Sequence, residues 1–332
     1  MNVATRLAAM PGLVLSAPAR FVGPAMSGLQ KLLGIRRMPW VFLAPNLVAV
    51  LLFALLPVLI NVFYSFTGSD RLYPQDRSFV GLDNYATLLD CGNYLDPATC
   101  SRDLFWRALH NSMIFVPVQV TTMILVALVT ALCLNRDIRG RGFFRAVFFF
   151  PVMLSPVVVA LTWQWLLQRN GAINAILDFF QLPTFNWMVF PQSAFPWAVF
   201  VTIWAHMGFY TIILLAGLQS IPRDVYEAAK MDSASPWRAF TRITLPMLRP
   251  VLLVVFVLCV IRSVQTFDEL YVLTGGGPGS ATMLMVQYIY EIGFAAQPRN
   301  FGLAAAASLL LGIVLLIFTA LQLGLSRRSR DG

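Results

Sequence analysis

Apolar residues run along this chain in long unbroken blocks rather than at every second or every third-to-fourth position. Six blocks, over residues 40–64, 109–134, 143–167, 195–218, 250–271 and 301–325, each hold the roughly 20 mainly apolar residues that an α-helix needs to cross a bilayer. A transmembrane β-barrel would show alternating segments of about ten residues instead. Runs such as 251–260 are continuously apolar, so the pattern predicts an all-α integral membrane protein with six transmembrane helices. Polar residues cluster between the blocks, most of all in an outer loop at 65–108 and a second connection at 219–249. A leading arm covers 1–39 and a short tail 326–332.

Composition agrees with that reading. Of 332 residues, 58% are hydrophobic and only 12% charged, against the quarter or so expected of a water-facing domain. The formal net charge of +9 could be read as a nucleic-acid footprint, but its placement points elsewhere. The arm, the connection at 135–142 with Arg145 just beyond it, the connection at 219–249 and the tail hold seventeen Lys and Arg residues, whereas the opposite side holds six. Basic residues collect in the cytoplasm, so both termini lie inside, as an even number of spans also requires. Within the arm, Arg6 followed by the apolar run 7–15 and the small residues 16–19 has the outline of a secretory signal. The run is short and broken by Pro11, which favours a cytoplasmic or interface-lying arm.

Cys91 and Cys100 both fall in the outer loop, where an oxidising compartment permits a disulfide. Cys133 and Cys259 lie in spans and read as buried small apolar residues. The two histidines, His110 and His206, are far apart and show no metal-ligand spacing. No Gly-Lys pair exists, so the phosphate-cradling loop of an ATPase is missing and the chain is not expected to be an enzyme.

The connection at 219–249 predicts two short helices. Pro222 and Asp224 suit the start of the first, and Asp232 and Ser233 favour a turn at its end. Ser235 then caps a second helix that opens with Pro236 and runs until Leu245 and Pro246. Val225, Ala228 and Ala229 give the first helix a smooth face that another protein can approach closely, with Glu227 and Lys230 beside it.

Tyr226, Glu227, Ala228, Ala229 and Asp232, followed by Phe240, Ile243, Leu245 and Pro246, resemble the EAA loop of binding-protein-dependent ABC importer permeases. That family usually has Gly where this chain has Ser233, a position whose turn calls for a positive φ. The segments 79–85 and 267–278 resemble those of sugar-type permeases, and the likeness extends over 40–325. It implies the type I importer permease fold in the cytoplasmic membrane of a prokaryote. It implies a second permease subunit, two ATP-binding subunits that hold ATP and Mg, and an extracytoplasmic solute-binding protein. In the family the loop docks on the ATPase and transmits its closure. The implied cargo is a disaccharide or oligosaccharide of the trehalose or maltose type, with glycerol 3-phosphate as an alternative.

Polar groups within spans are functional candidates. Arg262, Gln265 and Glu269, spaced three and four apart, would share one helix face. Such a stripe could bind sugar hydroxyls or face the second permease. Pro151 and Pro156 are placed to kink span three ahead of Trp163, Gln164 and Trp165. The tryptophans fit an interfacial belt better than a sugar platform. For Gln119, His206 and Tyr210, a hydrogen bond between helices is a sufficient explanation. An ion-coupled secondary transporter would want carboxylates midway along spans; Asp268 and Glu269 fall toward an outer end. A membrane scaffold would leave the paired loop helices without a purpose.

Overall fold

The computed structural model describes residues 38–68, 70–137 and 139–328, with Gln30, Gly34 and Arg36 beside them. The expectations for most of the arm and for 329–332 therefore lie outside the described residues. The chain divides into two units, 1–63 and 64–332.

In the first unit, helix α1 occupies Met38–Ser65 and continues two residues into the second. Its backbone widens into a π turn at Leu51–Leu55. At 1.5 Å per residue it is long enough for a hydrocarbon core of about 30 Å, and no side chain before Ser65 is buried.

The second unit opens with a small outer assembly. Strands β1 (Thr67–Gly68) and β2 (Ser78–Phe79) pair antiparallel. Buried Arg77 ties them: its Nε donates to Thr67 Oγ1 at 2.7 Å, and its guanidinium lies 4.4 Å from the centre of the Tyr64 ring. Desolvation holds the Arg77 pKa below its ordinary value. Helix α2 (Asp83–Leu89) follows, and then a loop closed by the Cys91–Cys100 disulfide.

Three long helices form the frame: α3 (Asp103–Asn135), α7 (Pro191–Gln219) and α9 (Pro236–Val264). Between them lie α4 (Arg141–Phe149), α5 (Pro156–Leu166) and α6 (Ala172–Phe179); α8 (Arg223–Met231) follows α7. The chain ends with α10 (Asp268–Thr274), α11 (Met285–Tyr290) and α12 (Phe301–Arg328). The main core gathers Phe115, Val120, Leu214, Leu248 and Val255, together with Ala127, Ala131, Ala198 and Ala205. Small residues let backbones approach within a membrane, where tight van der Waals packing replaces the hydrophobic drive. A second core at the outer end joins Leu88, Phe105, Trp106, Tyr288 and Leu303.

Two of the six expected spans differ from a simple rod. Span three is broken, its halves Arg141–Met153 and Pro156–Leu166 meeting at 101°. Pro151 and Pro156 flank the bend, because each lacks the N–H that would continue the helix. Gly208 of α7 admits the bend: a Cβ there would lie 2.3 Å from the Phe148 carbonyl oxygen. Span five departs at both ends. The second loop helix does not stop at Leu245 and Pro246 but runs unbroken from Pro236 to Val264. A π turn at Phe240–Thr244, where the Leu245 N–H donates to the Phe240 oxygen, absorbs the register that Pro246 would otherwise interrupt. At the far end the helix stops at Val264, seven residues short of the expected 271, and resumes at Asp268. Cys259 is buried as expected, but Cys133 is exposed on α3.

Candidate functional site

The connection after α7 builds a compact, surface-presented loop. Helix α8 begins after Pro222, which serves as its N-cap residue rather than its first helical one. Asp224 in its first turn and Lys230 in its last complement the helix dipole. Its end has the bond pattern of a Schellman motif, with Ser233 N–H donating to Lys230 O at 3.0 Å and Ala234 N–H to Ala229 O at 2.9 Å. Ser233 sits at φ +54°, the left-handed conformation that glycine takes without cost. Ser235 Oγ then accepts from the Arg238 N–H at 3.3 Å and caps α9.

Glu227, Ala228, Asp232 and Ser233 are exposed, while Tyr226 and Ala229 are half-buried. The hydroxyls of Tyr226 and Thr244 are 3.0 Å apart, which ties α8 to the π turn of α9. Met231 and Trp237 are 86% and 73% exposed on this same loop. Neither stands out in the sequence, where each passes as one more apolar residue; the fold leaves both exposed, at the end of α8 and the start of α9.

A second cluster forms around the break after α9. Arg262 Nη2 lies 3.5 Å from Glu269 Oε1, across the non-helical residues 265–267. The same guanidinium donates to His206 Nε2 on α7 at 3.0 Å. Since Nε2 accepts, the ring carries its proton on Nδ1 and gives it to the Thr202 carbonyl at 3.0 Å. His206 Nδ1 is also 3.8 Å from Glu269, but with that proton committed to Thr202 it is Arg262 that balances the carboxylate. Glu269 is 1% exposed, and neither of its oxygens has a hydrogen-bond donor among the described residues. One residue further along α9, Ser263 Oγ donates to Gln119 Oε1 of α3. Tyr210 and Cys259 are both buried, each about one turn from the cluster along α7 and α9.

The expected stripe of Arg262, Gln265 and Glu269 is thus not one helix face. The break turns Glu269 inward to the level of His206, midway along α7, and leaves Gln265 exposed. The carboxylate expected near an outer end is in the interior of the bundle. Trp163 and Trp165 also separate. Trp163 packs among Trp197, Phe200 and Trp204 with ring centres 5.1–5.8 Å away, whereas Trp165 is 61% exposed. Gln164 opens onto an outer cleft of about 340 Å³ with Gln168, Arg169, Asn186 and Trp187. A larger outer cleft of about 480 Å³ lies between Asp103, Arg107 and the glycine-rich turn at 275–279. Neither cleft reaches the Arg262 cluster or the α8 loop.

Residues 123–331 match the family described as the binding-protein-dependent transport system inner membrane component. The chain is 35% identical over 299 residues to the trehalose/maltose transport system permease protein MalF of Thermococcus litoralis, which covers 89% of this chain and 95% of that relative. It is 32% identical over 297 residues to the lactose transport system permease protein LacF of Rhizobium radiobacter, covering 88% and 94%. Its fold superposes with a TM-score of 0.75 on a chain from the crystal structure of a bacterial alginate ABC transporter in complex with an alginate pentasaccharide-bound periplasmic protein. That likeness covers 90% of this chain and 97% of the other at 24% identity.

Proposed function

The chain belongs to the family of binding-protein-dependent transport system inner membrane components, and from that premise we propose that it passes a disaccharide or oligosaccharide across the cytoplasmic membrane as the permease subunit of an ATP-driven ABC importer. Its relatives named for trehalose/maltose and lactose transport support a neutral sugar as cargo. The chain supplies a pathway and a lever. Separate ATPase subunits supply the energy, a second permease completes the pathway, and an external binding protein delivers the sugar.

One observation carries the mechanism: α9 is a single helix from the exposed loop at Pro236 to the polar cluster at Arg262. In this reading Glu227, Ala228, Ala229, Asp232 and Ser233 form the face on which an ATPase seats, with Met231 and Trp237 as apolar anchors beside them. Closure of the ATPases displaces α8. The Tyr226–Thr244 contact and the Ser235 cap pass that displacement to α9, whose interior end carries Arg262 toward or away from Glu269. The break at 265–267 lets α10 stay packed on α5 while α9 moves. Discontinuous helices at mid-membrane depth are a common way to build a transport site, and here the breaks in spans three and five lie against α7 and each other.

The Arg262–Glu269 pair bears on the choice of cargo. An anion such as glycerol 3-phosphate would want an unmatched cation in the pathway, whereas Arg262 is already balanced by Glu269. Gln265, Gln119, Tyr210, Gln164 and Trp163 remain the candidate pathway groups. The assembled importer in liposomes, loaded with ATP inside, tests this reading by uptake of radiolabelled maltose, trehalose and glycerol 3-phosphate. Saturable uptake of a sugar, with glycerol 3-phosphate neither carried nor competing, is the expected result. Uptake of the phosphate ester in preference to either sugar would overturn it.

A further inference from the structure

The connection between α5 and α7, residues 167–190, is an outer loop that lacks the usual polarity of one. Arg169 and Asp178 are its only Lys, Arg, Asp or Glu residues, whereas the outer loop at 65–108 carries ten. A water-facing segment would be charged at about a quarter of its positions. Helix α6 within the connection is apolar on both sides. Ile173 and Leu177 are half-buried against the protein, while Ile176 and Phe179 are exposed. Phe180, Leu182 and Phe185 follow, and these five exposed side chains are each 50–82% accessible. A helix that is apolar all round belongs in a protein core or in lipid.

The backbone of this connection satisfies itself. Asn174 is 2% exposed, and its Nδ2 lies 2.8–3.2 Å from the carbonyl oxygens of Gln168, Arg169 and Phe185. Its Oδ1 accepts from the Phe185 N–H at 3.2 Å and from Trp187 Nε1 at 3.1 Å. One side chain thereby folds the segment after α6 back onto the end of α5. Where α6 stops, Gln181 turns at φ +56°. The Gln181 N–H donates to the Asp178 oxygen at 2.9 Å and the Leu182 N–H to the Leu177 oxygen at 2.8 Å. Pro183 has no N–H to satisfy. A water-facing loop can leave such groups to solvent, but a segment at the edge of the hydrocarbon must pair them itself.

Two features say what covers the exposed side. Helix α5 presents Val158, Leu161 and Trp165, exposed at one-turn spacing, and ends five residues before α6. The apolar surface of α6 therefore continues the membrane-facing surface of span three, with Trp165 at the boundary. The exposed side chains also lie on both sides of the reversal at Gln181, a shape that fluid lipid follows. A solute-binding protein comes and goes, and would leave these rings in water for part of every cycle. We propose that α6 and the turn after it lie in the outer leaflet of the bilayer. Ile176, Phe179, Phe180, Leu182 and Phe185 sit among the upper acyl chains, with Arg169 and Asp178 at headgroup level. Asn186 and Trp187 of the same connection wall the outer cleft of about 340 Å³, so the leaflet holds one side of that cleft in place.

Nitroxide labels on single cysteines test the depth of α6 in the assembled importer, reconstituted in vesicles of phosphatidylcholine and phosphatidylglycerol. Cys133→Ala and Cys259→Ala provide the background, since Cys91 and Cys100 are bonded to each other. Labels at Phe179→Cys and Leu182→Cys should collide with oxygen in preference to a water-soluble nickel chelate. Their nitroxides should lie about 5–10 Å below the phosphates. A label at Gln75→Cys, exposed on the polar outer loop, should favour the nickel chelate instead. If either α6 variant fails to assemble, Ile176→Cys should give the same depth. Nickel access at α6 equal to that at Gln75 would overturn the proposal by placing the patch in water. Poor access of both reagents at α6 would also overturn it, by assigning the face to a second permease or the binding protein. Depth is read whatever solute the importer carries, so either failure leaves the cargo reading untouched.

Discussion

Ser233 holds a backbone conformation that costs a residue with a Cβ about 1 kcal/mol or more relative to glycine. Ser233→Gly should therefore raise the thermal unfolding midpoint of the purified complex while sugar uptake stays as it was. An unchanged or lowered midpoint would mean that the serine hydroxyl compensates for the turn. The need for a positive φ was readable in the sequence, because the loop motif usually has glycine there. At Arg262 and Glu269 the sequence misleads. Gln265, Thr266 and Phe267 include neither proline nor glycine, so nothing local announces that the helix stops. Continuing the helical spacing carries Glu269 to an outer end, whereas the break returns it to His206. The pair itself makes a sharp prediction. Arg262→Leu leaves a buried carboxylate without its cation and should destabilise the protein by about 3–5 kcal/mol. Arg262→Leu/Glu269→Leu should recover most of that loss, as read from thermal unfolding of the single and double variants.

Among the elements, long apolar helices were the most legible: four of six spans appear as single rods close to their apolar blocks, while span three is broken and span five is displaced toward its loop. Prolines marked the break in span three correctly, yet Pro246 and Pro250 lie inside an unbroken α9. The difference lies in the surroundings: a π turn ahead of Pro246 accommodates the missing donor, whereas Pro151 and Pro156 flank a bend packed onto Gly208. Gly208→Ala would drive a methyl group into the Phe148 backbone, and overpacking of this kind costs at least about 1–3 kcal/mol. Lower yield and a lower unfolding midpoint are expected; an unaffected protein would show that the two helices separate easily. The α8 loop acts as a unit. Glu227→Ala, or bulk introduced by Ala228→Trp, should abolish ATP-driven uptake while the external binding protein still binds its sugar. Unchanged uptake in both variants would remove α8 from the coupling path.

For the whole molecule, the charge asymmetry of the connections set the orientation, and membership of a transport-component family agrees with a sequence that has no Gly-Lys pair. The course of α9 from loop to cluster was not legible, because it rests on a π turn that has no sequence signature of its own. The proposed cargo rests on the named relatives and on the matched charge of Arg262. The most direct test of the central claim is gentle purification of this chain from its native membrane and identification of its companions. An ATPase subunit and a second multi-span permease should copurify, and Ala228→Trp should release the ATPase while keeping the permease partner. A chain that purifies alone and moves solute down an ion gradient in liposomes would contradict the account.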